Sequence, residues 1–367
     1  MANRNRIVMS RDIFNRLFQR CEQLGQPLTN ADGIRYIKKL SSDDADLMSS
    51  ADCVTISLTK TIRFVKLTFG GEIYYCLYGI AEPEEMPNGF RLTDLTPGLF
   101  SASLLDSGLK PCATVSEIRD AVEGVFKKEN EEYHGHDLES ITGLFPPCKS
   151  YVVEGDNIYS TDAERVLGTF LCKSYNDGPL EYEVETLNAL IEFFENGPDY
   201  VPYYNVVQGV LSIYWESLFL ELYRCIEQLY AQPRISELKG GCQLSNSTHS
   251  LRELAEILEE KLSWRPKEEE AIKQLFGGIE ESFILRLGIA LGIVEVNDNG
   301  DVIIDGNAAK NYVSSVASKV YKLRNSIVHY RPKHEKHSYT LEQWNNITRS
   351  MLGVVGQLYQ SHGKDFF

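Results

Sequence analysis

The spacing of apolar residues changes once along this chain of 367 residues, and that change limits what the chain can fold into. Val54, Ile56 and Leu58 alternate, and two β-rich runs, 62–69 and 73–80, flank Gly70-Gly71. Alternation sends successive side chains to opposite faces of a strand, and a glycine pair supplies the positive φ angles of a two-residue hairpin turn. An antiparallel meander is expected there. Beyond Asn196-Gly197-Pro198-Asp199 the strand period largely stops. Leu211, Trp215, Leu218, Leu222, Ile226 and Leu229 instead recur every three or four residues, as in one long amphipathic helix. The expected class is α+β. Residues 1–198 form a mixed domain with the meander, and 199–367 an all-α domain.

Within the first half, Ile13, Leu17, Phe18 and Cys21 predict a helix ending at Gly25, and a second short helix is expected over 34–40. Residues 82–111, with Pro83, Pro87 and Pro97, read as loop-rich. Thr114 or Ser116 can cap a helix running to about Glu132. Residues 152–170 read as strand and turn, and 187–194 as helix. His134-Gly135-His136-Asp137 has the spacing of a metal-ligand set, but in a glycine-containing loop after a helix these are expected as surface residues. Tyr74, Tyr75 and Tyr78 have faces on which bases stack, yet aromatic enrichment in strands favours core packing.

In the second half, helices are expected over 251–262, from Pro266 to about Leu291, from about Asn307 onward, and over 341–359. Residues 294–296 and 302–304 flank Asn297-Asp298-Asn299-Gly300 and predict a small hairpin. Glu216, Glu221, Arg224 and Glu227 lie on the helix that starts the half. One of these acids can meet the chemistry described next.

That chemistry centres on residues 322–332, K-L-R-N-S-I-V-H-Y-R-P. Val313, Val316, Val320, Leu323 and Ile327 give the helix one buried stripe, and Pro332 ends it near Tyr330 or Arg331. Ala317, Tyr321, Arg324 and Val328 form a second, partly apolar stripe. Asn325 and His329 share a face, whereas Arg324 and His329 are separated by roughly 140°. Arginine presents a planar, permanently charged fork to phosphate oxygens, and histidine moves protons near neutral pH. Together they suit phosphoryl chemistry that needs no metal or other cofactor. Over residues 319–336, Lys319, Lys322, Arg324, Arg331, Lys333 and Lys336 face Glu335 alone, so this region attracts polyanions.

The string Arg324-Asn325-Ser326-Ile327-Val328-His329, late in a run of amphipathic helices, resembles the signature of the HEPN superfamily. Residues 220–230 also resemble the opening helix of such domains. The resemblance covers the C-terminal half. It implies an up-and-down helical bundle that dimerises through the motif helices. It further implies a metal-independent endoribonuclease in which the RNA 2′-hydroxyl attacks the neighbouring phosphate. Carried over, His329 transfers protons, Arg324 stabilises the transition state or binds phosphate, and Asn325 orients the site. Lys322, Arg331 and Lys333 would bind RNA phosphates. The wide angular separation of Arg324 and His329 fits a composite site made by two copies. The expected partners are RNA, such as tRNA or mRNA, a second copy of the chain, and a regulatory protein or trigger at the N-terminal domain. By the same resemblance the role is that of a toxin or anti-phage defence effector. The rival expectation is a non-catalytic module that binds nucleotide or RNA, or dimerises, under N-terminal control.

Charge and cysteine usage narrow the setting. The net charge is −15, and residues 1–200 hold 19 basic and 32 acidic residues against 18 and 20 in the rest. The acidic half is a poor nucleic-acid binder by itself. The eight cysteines form no C-x-x-C pair, the first eleven residues lack an apolar core, and the most apolar segment, 283–294, is short and contains Arg286. Reduced thiols, a cytoplasmic location and no membrane contact are expected.

Overall fold

The computed structural model describes residues 6–28, 35–128, 133–155, 158–176, 178–241, 249–262, 267–296, 302–303, 312–329 and 339–367. The chain separates into two compact units, Met1–Ser174 and Tyr175–Phe367.

The first unit is mixed. It contains α1 (Arg6–Gln23), α2 (Ser42–Ser50), β1 (Asp52–Ser57), β2 (Arg63–Phe69), β3 (Glu72–Tyr78), β4 (Phe90–Thr93), α3 (Pro97–Ser107), α4 (Val115–Lys128), α5 (Leu138–Thr142), β5 (Cys148–Val153) and α6 (Ala163–Lys173). The strands form one antiparallel sheet in the order β1-β2-β3-β5-β4. The expected hairpin is present: Phe69 pairs with Glu72, and Gly70 and Gly71 take φ of 61° and 85°, where a Cβ would be strained.

The sheet is covered on both faces, which is why its strands read as nearly continuous apolar runs. Val65, Leu67, Cys76 and Tyr78 join the core built with α1 and α3. On the opposite face, Tyr151 and Phe90 meet Phe170 of α6, with ring centroids 4.6 and 5.4 Å away. Tyr75 and Tyr78 are fully buried, as expected for packing aromatics.

Three local expectations are corrected. The loop-rich stretch 82–111 also holds a helix: α3 lies there, capped by the Thr96 hydroxyl, which accepts from Leu99 N, with Pro97 in the first turn. It is buried around nearly its whole circumference, serines included, so it has no periodic signature. Its last carbonyls, from Leu104 and Leu105, accept hydrogen bonds from the Arg16 guanidinium at 2.8 and 2.9 Å. Residues 163–170 are helical, begun by Asp162, whose carboxylate accepts from Glu164 N and Arg165 N. Residues 35–40 are not helical. Ile37 instead forms a parallel bridge with His136, and α2 starts two residues later, at Ser42.

The second unit is mostly helical, with α7 (Val184–Asn196), α8 (Tyr203–Val210), α9 (Trp215–Glu227), α10 (Gln232–Gly241), α11 (Leu251–Leu262), α12 (Glu268–Gly277), α13 (Glu281–Ala290), the short hairpin β6 (Glu295–Val296) and β7 (Val302–Ile303), α14 (Tyr312–Val328) and α15 (Leu341–Phe366). The helix expected from Leu211 is α9, which starts at Trp215, with Leu211 falling just after α8, and the one expected from Pro266 to Leu291 is two, α12 and α13.

The structural division falls earlier than residue 198 because α7 belongs with the helical unit. It packs on α15. There Asn345 Oδ1 accepts from Glu183 N at 2.9 Å, and Arg349 reaches the Glu183 carboxylate at 2.8 Å. Among the described residues no helix is long and apolar enough to cross a membrane.

Candidate functional site

α14 carries the Arg–Asn–x3–His string. Val316, Ala317, Val320 and Leu323 are buried, and the helix packs against α12, α13 and α9. The segments before Tyr312 and after His329 lie outside the described residues; His329 N donates to Asn325 O at 3.0 Å, so His329 continues the helical register.

Arg324 turns inward. Its Nη2 donates to Glu227 Oε1 on α9 at 2.9 Å, and its Nη1 lies 3.4 Å from Glu268 Oε2, the first residue of α12. Nη1 also donates to Asn325 Oδ1 at 2.9 Å. The guanidinium carbon lies 5.7 Å from the centroid of the Tyr223 ring, a cation–π distance. Tyr223 in turn accepts a hydrogen bond from the buried Tyr230 hydroxyl. The Arg324 side chain is 18% exposed, against 29% for Glu227 and 41% for Glu268.

Two carboxylates therefore share one guanidinium. Burial opposes the charge on Arg324, but Glu227 and Glu268 outweigh it and raise its pKa. Glu227 is also raised: burial disfavours its carboxylate, and Glu268 adds repulsion that Arg324 only partly offsets. Burial likewise raises the Tyr223 and Tyr230 phenols, so both are neutral hydrogen-bonding groups at neutral pH.

The structure thus joins Arg324 and Asn325 through side chains, and links Asn325 to His329 through the backbone. His329 and Lys322 are exposed. Arg331 and Lys333, also expected at the site, lie outside the described residues. Of the acids on α9, Glu227 is the one that meets Arg324. Glu268 and Tyr223 were not foreseen. Glu268 opens a Glu-Glu-Glu first turn, whose charges favour a helix N-terminus, and that is a signal for a helix start rather than for an arginine partner.

The other candidate set resolves differently. His136 is not a surface residue but fully buried. Its backbone exchanges hydrogen bonds with the 36–38 segment: His136 N donates to Tyr36 O, and Lys38 N to His136 O. The ring lies 4.9 Å from Phe14, with Nδ1 2.5 Å from the Tyr133 hydroxyl and Nε2 3.3 Å from Val122 O. His134 and Asp137 are exposed, and Asp137 pairs with Lys38 at 3.1 Å. Among the described residues no three His, Cys, Asp or Glu side chains converge on a common point for a metal.

No family model matches this chain, and no curated protein or solved structure matches it significantly.

Proposed function

We propose that the helical unit is a metal-independent endoribonuclease of HEPN type. In this reading His329 takes the proton of an RNA 2′-hydroxyl as its oxygen bonds to the adjacent phosphorus. The P–O5′ bond breaks, a proton reaches the leaving 5′-oxygen, and a 2′,3′-cyclic phosphate remains. Arg324 balances charge on the phosphorus centre, and Asn325 holds the guanidinium. The finer architecture belongs to the same proposal: an up-and-down bundle pairing through α14, so that two copies face one cleft. The exposed Val328 near the end of α14 supports that pairing, while Ala317 and Arg324 of the same stripe pack within the unit.

One observation carries the reading. The three motif residues form a connected hydrogen-bonded series on one helix, ending in an exposed histidine. RNA cleavage in EDTA tests it. Wild-type protein should release fragments ending in 2′,3′-cyclic phosphate. His329→Ala, an exposed change that leaves the fold intact, and Arg324→Lys should both lose the activity. Intact RNA with the wild-type protein sinks the proposal.

A second reading is favoured by the charge balance at Arg324. Two carboxylates already match the guanidinium, so the same unit can serve as a non-catalytic RNA-binding or dimerisation module under the control of the first unit. RNA binding without cleavage selects it. A role as toxin or anti-phage effector rests on the resemblance alone.

A further inference from the structure

Because Arg324 turns inward, the exposed face of α14 that leads to His329 needs its own explanation. At roughly 100° per residue, Ser315, Lys319, Lys322 and Ser326 fall within about 80° of His329 around the helix, whereas Arg324 is about 140° away. Ser314, Ser315, Ser318, Lys319 and Lys322, with Ile293 from the turn after α13, line a groove of about 410 Å³.

The charges in this groove are unbalanced. Lys319 is half-buried, and burial together with the neighbouring Lys322 ammonium lowers its pKa. Among the described residues no carboxylate forms an ion pair with either lysine. Glu269 of α12 interacts with Lys322 at longer range, but its carboxylate is engaged by Lys273 at 2.9 Å and by the Ser318 hydroxyl at 2.8 Å. Two neighbouring ammonium groups are stabilised by an anion that bridges them.

We infer that this groove is a phosphate subsite that grips the RNA strand to one side of the bond cut at His329. The inference rests on the ribonuclease reading for its substrate. At a 1.5 Å rise per residue, Lys322 and Lys319 lie roughly 10 and 15 Å from His329 along the helix. A stacked strand advances about 3.4 Å per nucleotide, so the lysines meet phosphates roughly three to four nucleotides from the reacting one. A dinucleotide cannot reach them.

The test uses the full chain and a labelled 2′-O-methyl oligonucleotide, which has no free 2′-hydroxyl and so is not cleaved. The Lys319→Gln/Lys322→Gln double variant should bind it about tenfold or more weakly. The slope of log affinity against log salt should fall by about 1.4, since each neutralised phosphate of a single strand contributes about 0.7. Lys319→Arg/Lys322→Arg should restore both. Wild-type affinity and slope in the double-Gln variant overturn the groove, as does failure of the wild-type protein to bind. Cleavage with lysine-independent binding removes the groove alone. Lysine-dependent binding with no cleavage in EDTA removes the ribonuclease reading and leaves the groove standing.

Discussion

Arg324 Nη2 lies 2.9 Å from Glu227 Oε1 across α14 and α9, and a second acid, Glu268, reaches the same guanidinium at 3.4 Å. A cation proposed to bind phosphate is therefore already paired. A phosphate approaching Arg324 competes with two carboxylates, so the acids set how strongly the arginine can engage RNA.

Glu227 should titrate above the ordinary glutamate value of about 4.3. A carboxyl whose folded pKa is raised binds protons more tightly in the folded chain. Its contribution to stability is fully present below the unfolded pKa and is lost as pH rises through the folded pKa. The stability of wild-type protein relative to Glu227→Gln should accordingly be greatest in acid and decline toward neutrality. Carboxyl-carbon NMR of Glu227 and urea unfolding across that range check it. A midpoint at or below the ordinary value contradicts the assignment.

Glu268 is the more exposed and more distant acid, so Glu268→Ala should change stability by no more than about 0.5 kcal/mol. It should leave Arg324 with a single counter-charge and tighten RNA binding by roughly two- to fivefold, the scale of one surface ion pair. Anisotropy titration with non-cleavable RNA measures this. Weaker binding in the variant would mean that Glu268 positions the arginine rather than competing with the ligand.

The two histidines of the His134-Gly135-His136 string should separate sharply. His136→Ala removes a fully buried ring and one of the hydrogen-bond partners of the Tyr133 hydroxyl, at a cost of about 2–4 kcal/mol. His134→Ala, at an exposed position, should stay within about 0.5 kcal/mol. Chemical denaturation of both variants decides the matter, and equal costs would contradict the buried placement.

Gly98 marks the tightest approach between α2 and α3. A Cβ there would lie 2.8 Å from Asp44 Oδ1 and 2.9 Å from Asp44 Cα, and Asp44 Oδ1 accepts from Gly98 N at 2.8 Å. Gly98→Ala should destabilise the first unit by about 1–3 kcal/mol through overpacking. A thermal melt indistinguishable from wild type would show that α2 can move away freely.

What was legible in the sequence follows from how local its cause is. The Gly70-Gly71 hairpin, the end of α1 just before Gly25 and the whole of α11 are set by short-range pattern and turn chemistry. The buried α3 is not legible because a helix buried on nearly all sides has no moment, and three prolines favour loop. Residues 35–40 were misread because their pairing partner, His136, is far along the chain. The helix expected from Leu211 starts only at Trp215, and what precedes it is α8 packed on α9, where a Cβ at Gly209 would meet Leu218 Cδ1 at 2.6 Å. At the site, the motif residues could be read directly, but their surroundings could not. Glu227 is 97 residues from Arg324, and Glu268 comes from a third helix.

The division of the chain after Ser174 has a spectroscopic consequence. The three tryptophans, Trp215, Trp264 and Trp344, all follow it, and the first unit contains tyrosines alone. Emission excited at the red edge of the absorption band, where tyrosine is dark, reports the helical unit and nothing else. Far-ultraviolet ellipticity reports both. Overlaying the two unfolding curves therefore reveals, without a label or a cut in the chain, whether the units melt as one cooperative body or as two.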